Sequence, residues 1–186
     1  MYHFFKILFR LMDYTRGFYV FLLINACGGK CSSIPKVGKK VVFKYPPHKG
    51  FSIGKNCEIG SFVQFDVPLH SKLQIGDRVK LTNMINISVS NDVSIGNNVL
   101  IAEGVSIRDS QHNFMESMTN INSQGLEVGS IHIADDVWLG KNSMLLLNVN
   151  IHKGCILGAN SLLKNKTTEE YAVYIGSPAK KIKSRI

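Results

Sequence analysis

The sequence predicts an all-β protein built as a parallel β-helix of hexapeptide repeats, with a helical segment before it and one long loop within it. Apolar residues recur at every sixth place over most of residues 51–168. Glycine, asparagine and aspartate, which tolerate the backbone of tight turns, follow them at regular intervals. A hydrophobic content of 45%, with 16 glycines and 5 prolines, supplies a core and many turns without a proline-rich linker.

Residues 1–50 are predicted to be a helical and basic N-terminal segment. Several apolar residues recur at helical spacing, with Lys6 and Arg10 between them. These residues are Phe4, Phe5, Leu8, Leu11 and Met12. The longest uncharged stretch, residues 17–29, is too short to cross a bilayer, and no A-x-A-like cleavage site follows it. Two interpretations stay open: a helix packed on the main body or on a neighbouring subunit, or an amphipathic helix through which residues 1–28 contact a membrane surface.

The hexapeptide repeat defines the body, residues 51–168, and a basic C-terminal segment, residues 169–186, follows it. Position 1 of the repeat is isoleucine, leucine or valine, and position 5 is mostly small or β-branched. Short strands with apolar residues at alternate places bury one face, and turns between them close a three-sided coil. Successive coils stack about 4.8 Å apart and share one core. The residues at position 1 are Ile53, Ile59, Ile75, Leu81, Val89, Ile95, Ile101, Ile107, Ile133, Leu139, Leu145, Ile151, Leu157 and Leu163.

The four cysteines indicate a reducing compartment. Cys57 and Cys155 fall at position 5 of the repeat, where a free cysteine packs as a small apolar residue. Cys27 and Cys31 precede the repeat, and the sequence contains no CxxC pair. We therefore expect free thiols and a cytoplasmic protein. The N-terminal segment adds the alternative of a peripheral position at the inner face of the membrane.

The positive charge lies at the two ends of the chain. The net charge is +9, but residues 51–163 carry seven basic and ten acidic residues. Residues 1–50 carry nine basic residues and one acidic residue, and residues 164–186 carry six and two. A nucleic-acid-binding protein usually has a basic face along its folded body, so no nucleic-acid partner is expected. Basic ends suit an anionic membrane surface or a phosphorylated small molecule better.

The repeat breaks immediately after His112 and resumes at Ile133. Residues 113–130 are polar and carry no repeat, which predicts a loop that leaves the body. His132 and His152 occupy positions 6 and 2 of their hexapeptides and so face different directions. Because zinc ligands must converge on one point, no metal site is expected from these histidines.

Three stretches carry a specific resemblance to a known family. They are IGNNVLIAEGVSIRDSQH, GLEVGSIHIADDVWLGKNSMLL, and LGANSLL with IGSPAKKIK. Over about residues 51–183 the chain resembles the hexapeptide-repeat acyltransferases, in the sugar O-acetyltransferase branch that includes galactoside and maltose acetyltransferases. The resemblance implies a left-handed β-helix and acetyl-CoA as co-substrate. It also implies a homotrimer in which the protruding loop reaches over an active site between neighbouring subunits.

The resemblance assigns the role of general base to His112. A neutral imidazole can take the proton of an attacking hydroxyl and return it to the departing thiolate of CoA. A carboxylate commonly fixes the tautomer of such a histidine. Asp109, three residues earlier, and Glu127, in the family-like GLE, are both candidates for that carboxylate, and the sequence does not decide between them.

The resemblance also marks residues for the two substrates. Asn83 and Asn86 lie one coil before His112, where the family presents an asparagine to the acceptor sugar. Trp138 is expected beside the active-site cleft. The donor residues implied are Lys141 and Ala159 beside the pantetheine arm, and Lys164, Lys166, Lys180 and Lys183 at the CoA phosphates.

The sequence therefore predicts an acetyl-CoA-dependent O-acetyltransferase that modifies a sugar hydroxyl. The expected acceptor is a cell-surface polysaccharide or its precursor. Two alternatives stay open: N-acetylation of an amino sugar by the same histidine, and a β-helix scaffold that has lost catalysis.

Overall fold

A long helix precedes a stack of short strands. The structure is a computed structural model that describes residues 2–185, with side chains from residue 5 onward. Helix α1 comprises Tyr2–Ala26. The side chain of Phe4, part of the predicted helical pattern, lies outside the described residues.

The strands form six coils of three strands each, followed by an incomplete coil. The first three coils consist of β1 (Lys30–Cys31), β2 (Lys36–Val37), β3 (Val42–Phe43), β4 (Phe51–Ile53), β5 (Glu58–Ile59), β6 (Gln64–Asp66), β7 (Lys72–Ile75), β8 (Lys80–Leu81) and β9 (Asn86–Ser88). The fourth coil consists of β10 (Asp92–Ile95), β11 (Leu100–Ile101) and β12 (Ser106–Arg108), and β13 (Ser110–His112) and β14 (Leu126–Val128) follow it as a separate pair. The remaining strands are β15 (Ser130–Ile133), β16 (Trp138–Leu139), β17 (Met144–Leu145), β18 (Val149–Ile151), β19 (Ile156–Leu157), β20 (Leu162–Leu163), β21 (Lys166–Thr167), β22 (Ala172–Gly176) and β23 (Ala179–Ser184).

Each coil contributes one strand to each of three parallel sheets. Sheet A has the order β1-β4-β7-β10-β15-β18-β21, sheet B the order β2-β5-β8-β11-β16-β19-β22-β23, and sheet C the order β3-β6-β9-β12-β17-β20. The chain therefore turns at three kinds of corner, A to B, B to C and C to A. The predicted parallel β-helix of hexapeptide repeats is confirmed.

The core runs along the inside of this stack. Val63 and Val93, at position 5 of their repeats, and Ile107 and Leu145, at position 1, are all fully buried. Every inward side chain packs on its equivalents in the neighbouring coils, so the coils share one continuous core. Cys57 and Cys155 are free and buried, as their positions in the repeat predicted.

Polar side chains at the corner between sheets A and B tie neighbouring coils together. The Asp77 carboxylate accepts the backbone N–H of Lys55 at 2.7 Å, and Asn97 Oδ1 accepts the N–H of Asp77 at 2.8 Å. Asp135 accepts the N–H of Asn97 at 2.6 Å. The asparagines and aspartates of the repeat therefore satisfy backbone groups between coils as well as forming the turns.

Both ends of the stack are covered. At the N-terminal end Val20 and Ile24 of α1 are buried against the first coil, and Arg16 Nε donates to the carbonyl of Val37 at 2.9 Å. At the C-terminal end β23 pairs antiparallel with β22 and ends sheet B. Between residues 2 and 185 the structure has no helix with the length and apolar character needed to cross a bilayer.

The stack extends beyond the boundaries that the sequence predicted. The first coil lies inside the predicted N-terminal segment 1–50, and the predicted C-terminal segment 169–186 contains β22 and β23. Cys31, Val37 and Phe43 do keep the six-residue spacing in the first coil. Their surroundings obscure it, because lysines and a proline occupy the intervening places where the later coils have glycine and asparagine.

Candidate active site

His112 lies at the end of a strand in a two-stranded ribbon that leaves the β-helix at the corner between sheets C and A. Strand β13 pairs antiparallel with β14, and His112 is opposite Leu126 in their register. The histidine side chain is exposed. A short 3-10 turn, Ile121–Ser123, lies within the tip that joins the two strands. The predicted loop 113–130 therefore includes this tip and the returning strand, and strand pairing holds His112.

Asp109 and Gly129 form the neck of the ribbon. The N–H of Gly129 donates to the carbonyl of Asp109 at 2.7 Å. The Asp109 carboxylate is buried and accepts the N–H groups of Ser90 at 2.6 Å and Asn91 at 2.9 Å. Burial raises the pKa of Asp109, and the backbone donors oppose that rise. Asn91 Nδ2 also donates to the carbonyl of Gly129 at 3.0 Å, so the neck is fixed to the turn of the preceding coil.

Glu127 lies across the ribbon from Gln111. Its carboxylate accepts Gln111 Nε2 at 2.6 Å, and Gln111 Oε1 in turn accepts Lys164 Nζ at 2.7 Å. Lys164, predicted to meet a CoA phosphate, thus contacts the ribbon in this chain. Among the described residues neither Asp109 nor Glu127 hydrogen-bonds to the His112 imidazole, so the choice of orienting carboxylate stays a prediction.

An open cleft of about 540 Å³ lies beside His112 on the outer face of sheet C. Its floor is a column of residues that occupy equivalent places in successive coils, since Asp66 pairs with Ser88 and Ser88 with Arg108. The column comprises Lys44, Asp66, Ser88, Arg108 and Leu146. The ribbon side of the cleft is formed by Ser110, Gln111, His112, Leu126 and Val128, and Pro68 and His70 also line it.

The floor of the cleft carries positive charge. Lys44 Nζ and Asp66 Oδ2 form an ion pair at 2.9 Å, and this hydrogen bond raises the pKa of Lys44. Arg108 is exposed and has no acidic partner within residues 2–185. The cleft therefore offers a cation to an acceptor that carries a negative group.

Asn83 and Asn86, the predicted acceptor residues, are not among the residues that line this cleft. Asn83 Oδ1 accepts the N–H of Ser61 at 2.8 Å, as part of a corner between sheets B and C. Asn86 lies on β9, where its Nδ2 is 3.5 Å from Gln64 Oε1. In this chain both side chains contribute to contacts between coils.

Trp138, Lys141 and Ala159 lie on other sides of the prism from His112. Trp138 is on sheet B and is 47% exposed. Lys141 and Ala159 follow β16 and β19 at the corner between sheets B and C, one coil apart. His112 extends from the corner between sheets C and A, so a single chain does not bring these residues to it.

The four predicted phosphate-binding lysines do not converge within one chain. Lys166 lies on β21 in sheet A, and Lys180 and Lys183 lie on β23 at the end of sheet B. Lys164 lies beside the ribbon, where its Nζ contacts Gln111. Nor does the described part of the chain bring together three histidine, cysteine or acidic side chains that could hold a metal ion.

Sequence reasoning missed the charged, imidazole and amide side chains that line the cleft beside His112. They are Lys44, Asp66, His70, Arg108 and Gln111. The proximity of Arg108 and Gln111 to His112 along the chain could have indicated their position. Lys44 and Asp66 are at least 46 residues away, and only the register of the coils brings them to the same face.

Comparison with known proteins gives several relatives, although no protein-family model matches the chain. A Mycobacterium tuberculosis protein named as an acetyltransferase is 32% identical over 115 residues, which cover 61% of this chain and 37% of that protein. An Escherichia coli K12 protein, WbbJ, named for O-acetyl transfer in lipopolysaccharide biosynthesis, is 30% identical over 71% of this chain and 70% of its own length. A dTDP-4-amino-4,6-dideoxy-D-glucose acyltransferase of Escherichia coli is 31% identical over 72% and 71%.

Two solved structures share the fold. One is a mutant of AntD, an N-acyltransferase from Bacillus cereus in complex with dTDP and coenzyme A, with a TM-score of 0.71, 20% identity and 87% coverage of both chains. The other is a hexapeptide-repeat acetyltransferase from Vibrio cholerae in complex with acetyl coenzyme A. Its TM-score is 0.57 at 20% identity, over 88% of this chain and 75% of that one.

Proposed function

Because this chain belongs to the hexapeptide-repeat sugar acetyltransferases, we propose that it transfers the acetyl group of acetyl-CoA to a hydroxyl of a cell-surface polysaccharide or its precursor. The observation that carries the proposal is the placement of His112, exposed on a paired strand at the edge of a 540 Å³ cleft. Pockets of this volume hold small molecules of sugar size. The identity with WbbJ supports a hydroxyl as the acceptor group.

His112 is the proposed general base. Acetyl-CoA supplies a thioester carbonyl, and the imidazole takes the proton of the acceptor hydroxyl as the oxygen attacks that carbonyl. The same imidazole then gives the proton to the sulfur that leaves. The ribbon keeps the imidazole in place during both transfers, because Asp109 and Gly129 fix its neck to the body.

The orienting carboxylate acts through the ribbon in this proposal. Asp109 is a positioning residue, since its carboxylate holds the backbone of Ser90 and Asn91. Glu127 is a second positioning residue, because it holds Gln111 next to His112 in β13. Direct contact of either carboxylate with the imidazole remains the alternative within the same proposal.

A homotrimer with active sites between subunits accounts for the distribution of the predicted residues. His112 lies at the corner between sheets C and A, and Lys141 and Ala159 lie at the corner between sheets B and C. The donor-side residues of one subunit and the ribbon of its neighbour would together complete each site. Lys166, Lys180 and Lys183, at the C-terminal end of the stack, are the proposed cations for the CoA phosphates.

Arg108 supports an acceptor with a phosphate. It lies on the cleft floor without an acidic partner among the described residues, and a guanidinium binds phosphate oxygens in a bidentate manner. A nucleotide-activated or lipid-linked sugar carries such a group, whereas a neutral polysaccharide does not. The precursor is therefore the favoured acceptor over the finished polymer.

The experiment that tests the proposed function compares wild type, His112→Ala and His132→Ala. His132 is the matched control because it lies on sheet A and contacts Ser94 at 2.8 Å, outside the proposed site. We expect acetyl-CoA to raise the melting temperature of all three proteins by some degrees, since a ligand at 100 times its Kd adds about 2.7 kcal/mol.

Acetyl transfer to an acceptor found by screening should then fall about 10²- to 10⁴-fold in His112→Ala and stay unchanged in His132→Ala. If acetyl-CoA stabilises His112→Ala and this variant keeps full activity, His112 is not the general base. The absence of any stabilisation by acetyl-CoA would instead favour a scaffold without catalysis.

N-acylation of an amino sugar is the second candidate function. The Escherichia coli relative that is 31% identical is named for a dTDP-amino sugar, and the AntD structure is that of an N-acyltransferase. The cation at Arg108 suits the diphosphate of such an acceptor as well as that of a hydroxyl acceptor. Mild alkali separates the two functions, because it releases acetate from an O-acetyl ester and leaves an N-acetyl amide intact.

A further inference from the structure

Helix α1 is fixed in one rotation about its axis. Val20 and Ile24 are buried against the first coil, and Arg16 Nε holds the carbonyl of Val37. Gly17 has no room for a side chain, because a Cβ there would lie 1.8 Å from the carbonyl oxygen of Pro35. The face of α1 that points away from the β-helix is therefore determined.

That outward face is apolar for about four turns. At 100° per residue, its members fall within an arc of about 120° on the side opposite Val20 and Ile24, over a length of about 22 Å. Each of them is between 42% and 67% exposed. We call these residues the outer stripe; they are Ile7, Leu8, Leu11, Phe18, Tyr19 and Leu22.

The charged residues of α1 lie on the other side. Lys6, Arg10, Asp13 and Arg16 fall within about 120° of arc on the same side as the buried residues. Lys6, Arg10 and Asp13 line an open groove with Lys36 and Glu58 of sheet B, and Phe5 and Phe9 of α1 also line it. A surface helix of a soluble protein turns its apolar face to the core, whereas the apolar stripe of α1 faces away from the body.

The polar group within the outer stripe is satisfied by the helix itself. Thr15 lies inside the arc, and its hydroxyl donates to the carbonyl of Met12 at 2.9 Å. A hydroxyl bonded in this way can enter an apolar medium without losing a hydrogen bond to water. The stripe therefore presents no unsatisfied side-chain donor except the Tyr19 hydroxyl, at the kind of position where tyrosines meet an interface.

We propose that α1 seats this protein on an anionic lipid surface, with the outer stripe in the acyl–headgroup boundary and its charged side toward the protein. Arg10 lies about 60° around the helix from the nearer edge of the stripe, and residues 1–50 carry nine basic residues against one acidic residue. That acidic residue, Asp13, is already paired with Arg16. Basic residues around an apolar helix face are what anionic bilayers attract.

A lipid surface fits the stripe better than a second copy of the chain. Two packed helices meet along a narrow seam that uses about two residues in seven. Here the exposed side chains in the arc from Ile7 to Leu22 are apolar apart from the self-bonded Thr15 and the hydroxyl of Tyr19. A face of this width and uniformity matches a planar apolar medium.

The test is vesicle co-sedimentation without any substrate, so its outcome does not depend on acetyl transfer. The probes are vesicles of phosphatidylcholine alone and vesicles with about one third phosphatidylglycerol. The variant Leu11→Asp/Phe18→Asp changes two exposed residues of the stripe. Its matched control, Leu69→Asp/Met84→Asp, makes the same charge change at exposed apolar residues of the β-helix. Circular dichroism checks that both fold.

We expect wild type and the control to bind the anionic vesicles at least tenfold more tightly than the stripe variant does, and high salt to weaken their binding. Equal binding by the stripe variant would overturn the proposal. The proposal would also be overturned if the wild type bound neither kind of vesicle and light scattering showed that the stripe variant forms a smaller assembly than the wild type. That second result would identify the stripe as a contact between copies of the chain.

Discussion

Asp109 combines a buried carboxylate with a structural task. It accepts two backbone N–H groups from the preceding coil and, through its carbonyl, one from Gly129. These contacts explain why an aspartate lies three residues before His112 without touching the imidazole. Burial destabilises the charged carboxylate by more than these hydrogen bonds stabilise it, so the pKa of Asp109 is raised.

A pH-dependent contribution to stability follows from that raised pKa. Between its ordinary value, about 4, and its raised value, folded Asp109 binds more protons than the unfolded chain does. The free energy of unfolding that it contributes therefore falls as the pH rises through this interval. We expect the unfolding free energy of wild type minus that of Asp109→Asn, measured by urea titration at several pH values, to decrease as the pH rises through this interval.

Glu58→Gln provides the opposite control. The hydrogen bond from Lys36 at 3.0 Å lowers the pKa of Glu58, with Lys80 adding to the effect. The contribution of the Glu58 carboxylate to the free energy of unfolding is present above the ordinary glutamate pKa and is lost as the pH falls through the lowered pKa. A slope of the same sign for both variants would contradict the assignment for Asp109.

The ribbon depends on a close approach at its neck. A Cβ at Gly129 would lie 2.4 Å from Asn148 Oδ1 and 3.0 Å from its backbone nitrogen. Gly129→Ala must therefore displace the Asn148 side chain, and its contact with the Asn148 backbone must be relieved by a small shift of the neck or the next coil. We expect the unfolding free energy to fall by about 1–3 kcal/mol. Because the ribbon carries His112, we also expect kcat to change by a larger factor than the KM for acetyl-CoA.

Two further variants make that prediction specific. Ser130→Ala, one residue along, adds no such contact and should behave as wild type. Gly129→Ala/Asn148→Gly removes the Oδ1 clash at a residue whose φ is 54°, where glycine is unstrained, and should recover part of the lost stability. If the single variant melts at the temperature of wild type and keeps its kcat, the neck does not position the histidine.

Among the elements, most strands of residues 51–168 were predictable and their corners were not. Val63, Val93 and Ile107 are buried as the six-residue spacing predicted, because alternation along a strand fixes which side chains face inward. Corner lengths between sheets C and A vary from coil to coil, and no local signal sets them. The cleft residues Lys44 and Asp66 were missed for that reason.

The first coil illustrates a second limit. Cys31, Val37 and Phe43 have the correct spacing, but only their pairing with the next coil identifies them as strands. Two-residue strands have little propensity of their own, and their stability comes from the stack. Similarly, the sequence left open whether the N-terminal helix packs on the body or on a neighbouring subunit or lies on a membrane surface, and the burial of Val20 and Ile24 shows that its C-terminal half packs on the body.

For the whole molecule, the separation of His112 from Ala159 predicts active sites shared between subunits. We expect light scattering to give about three times the 20.7 kDa of one chain. His112→Ala removes the proposed base, and Ala159→Trp places a large side chain at the exposed corner proposed for the donor. Each variant alone should be inactive.

Co-assembly of the two variants should restore activity. If each site takes His112 from one subunit and Ala159 from the next, random mixing in equal amounts leaves about a quarter of the sites intact. Mixing the folded, separately assembled trimers without exchange is the control and should restore nothing. A co-assembled mixture that stays inactive would place both residues of a site in the same chain.

The stacking of coils also sets a distance that no single residue encodes. The ribbon that carries His112 leaves the fourth coil, and α1 covers the first. Three steps of about 4.8 Å put the origin of the ribbon about 14 Å along the prism axis from the first coil. If the proposed seating of α1 on a bilayer and the proposed sugar acceptor both hold, this distance contributes to the height at which the sugar hydroxyl is presented above the lipid. A carrier of matching length would then be selected together with the sugar, and one coil more or fewer would change the distance by about 4.8 Å.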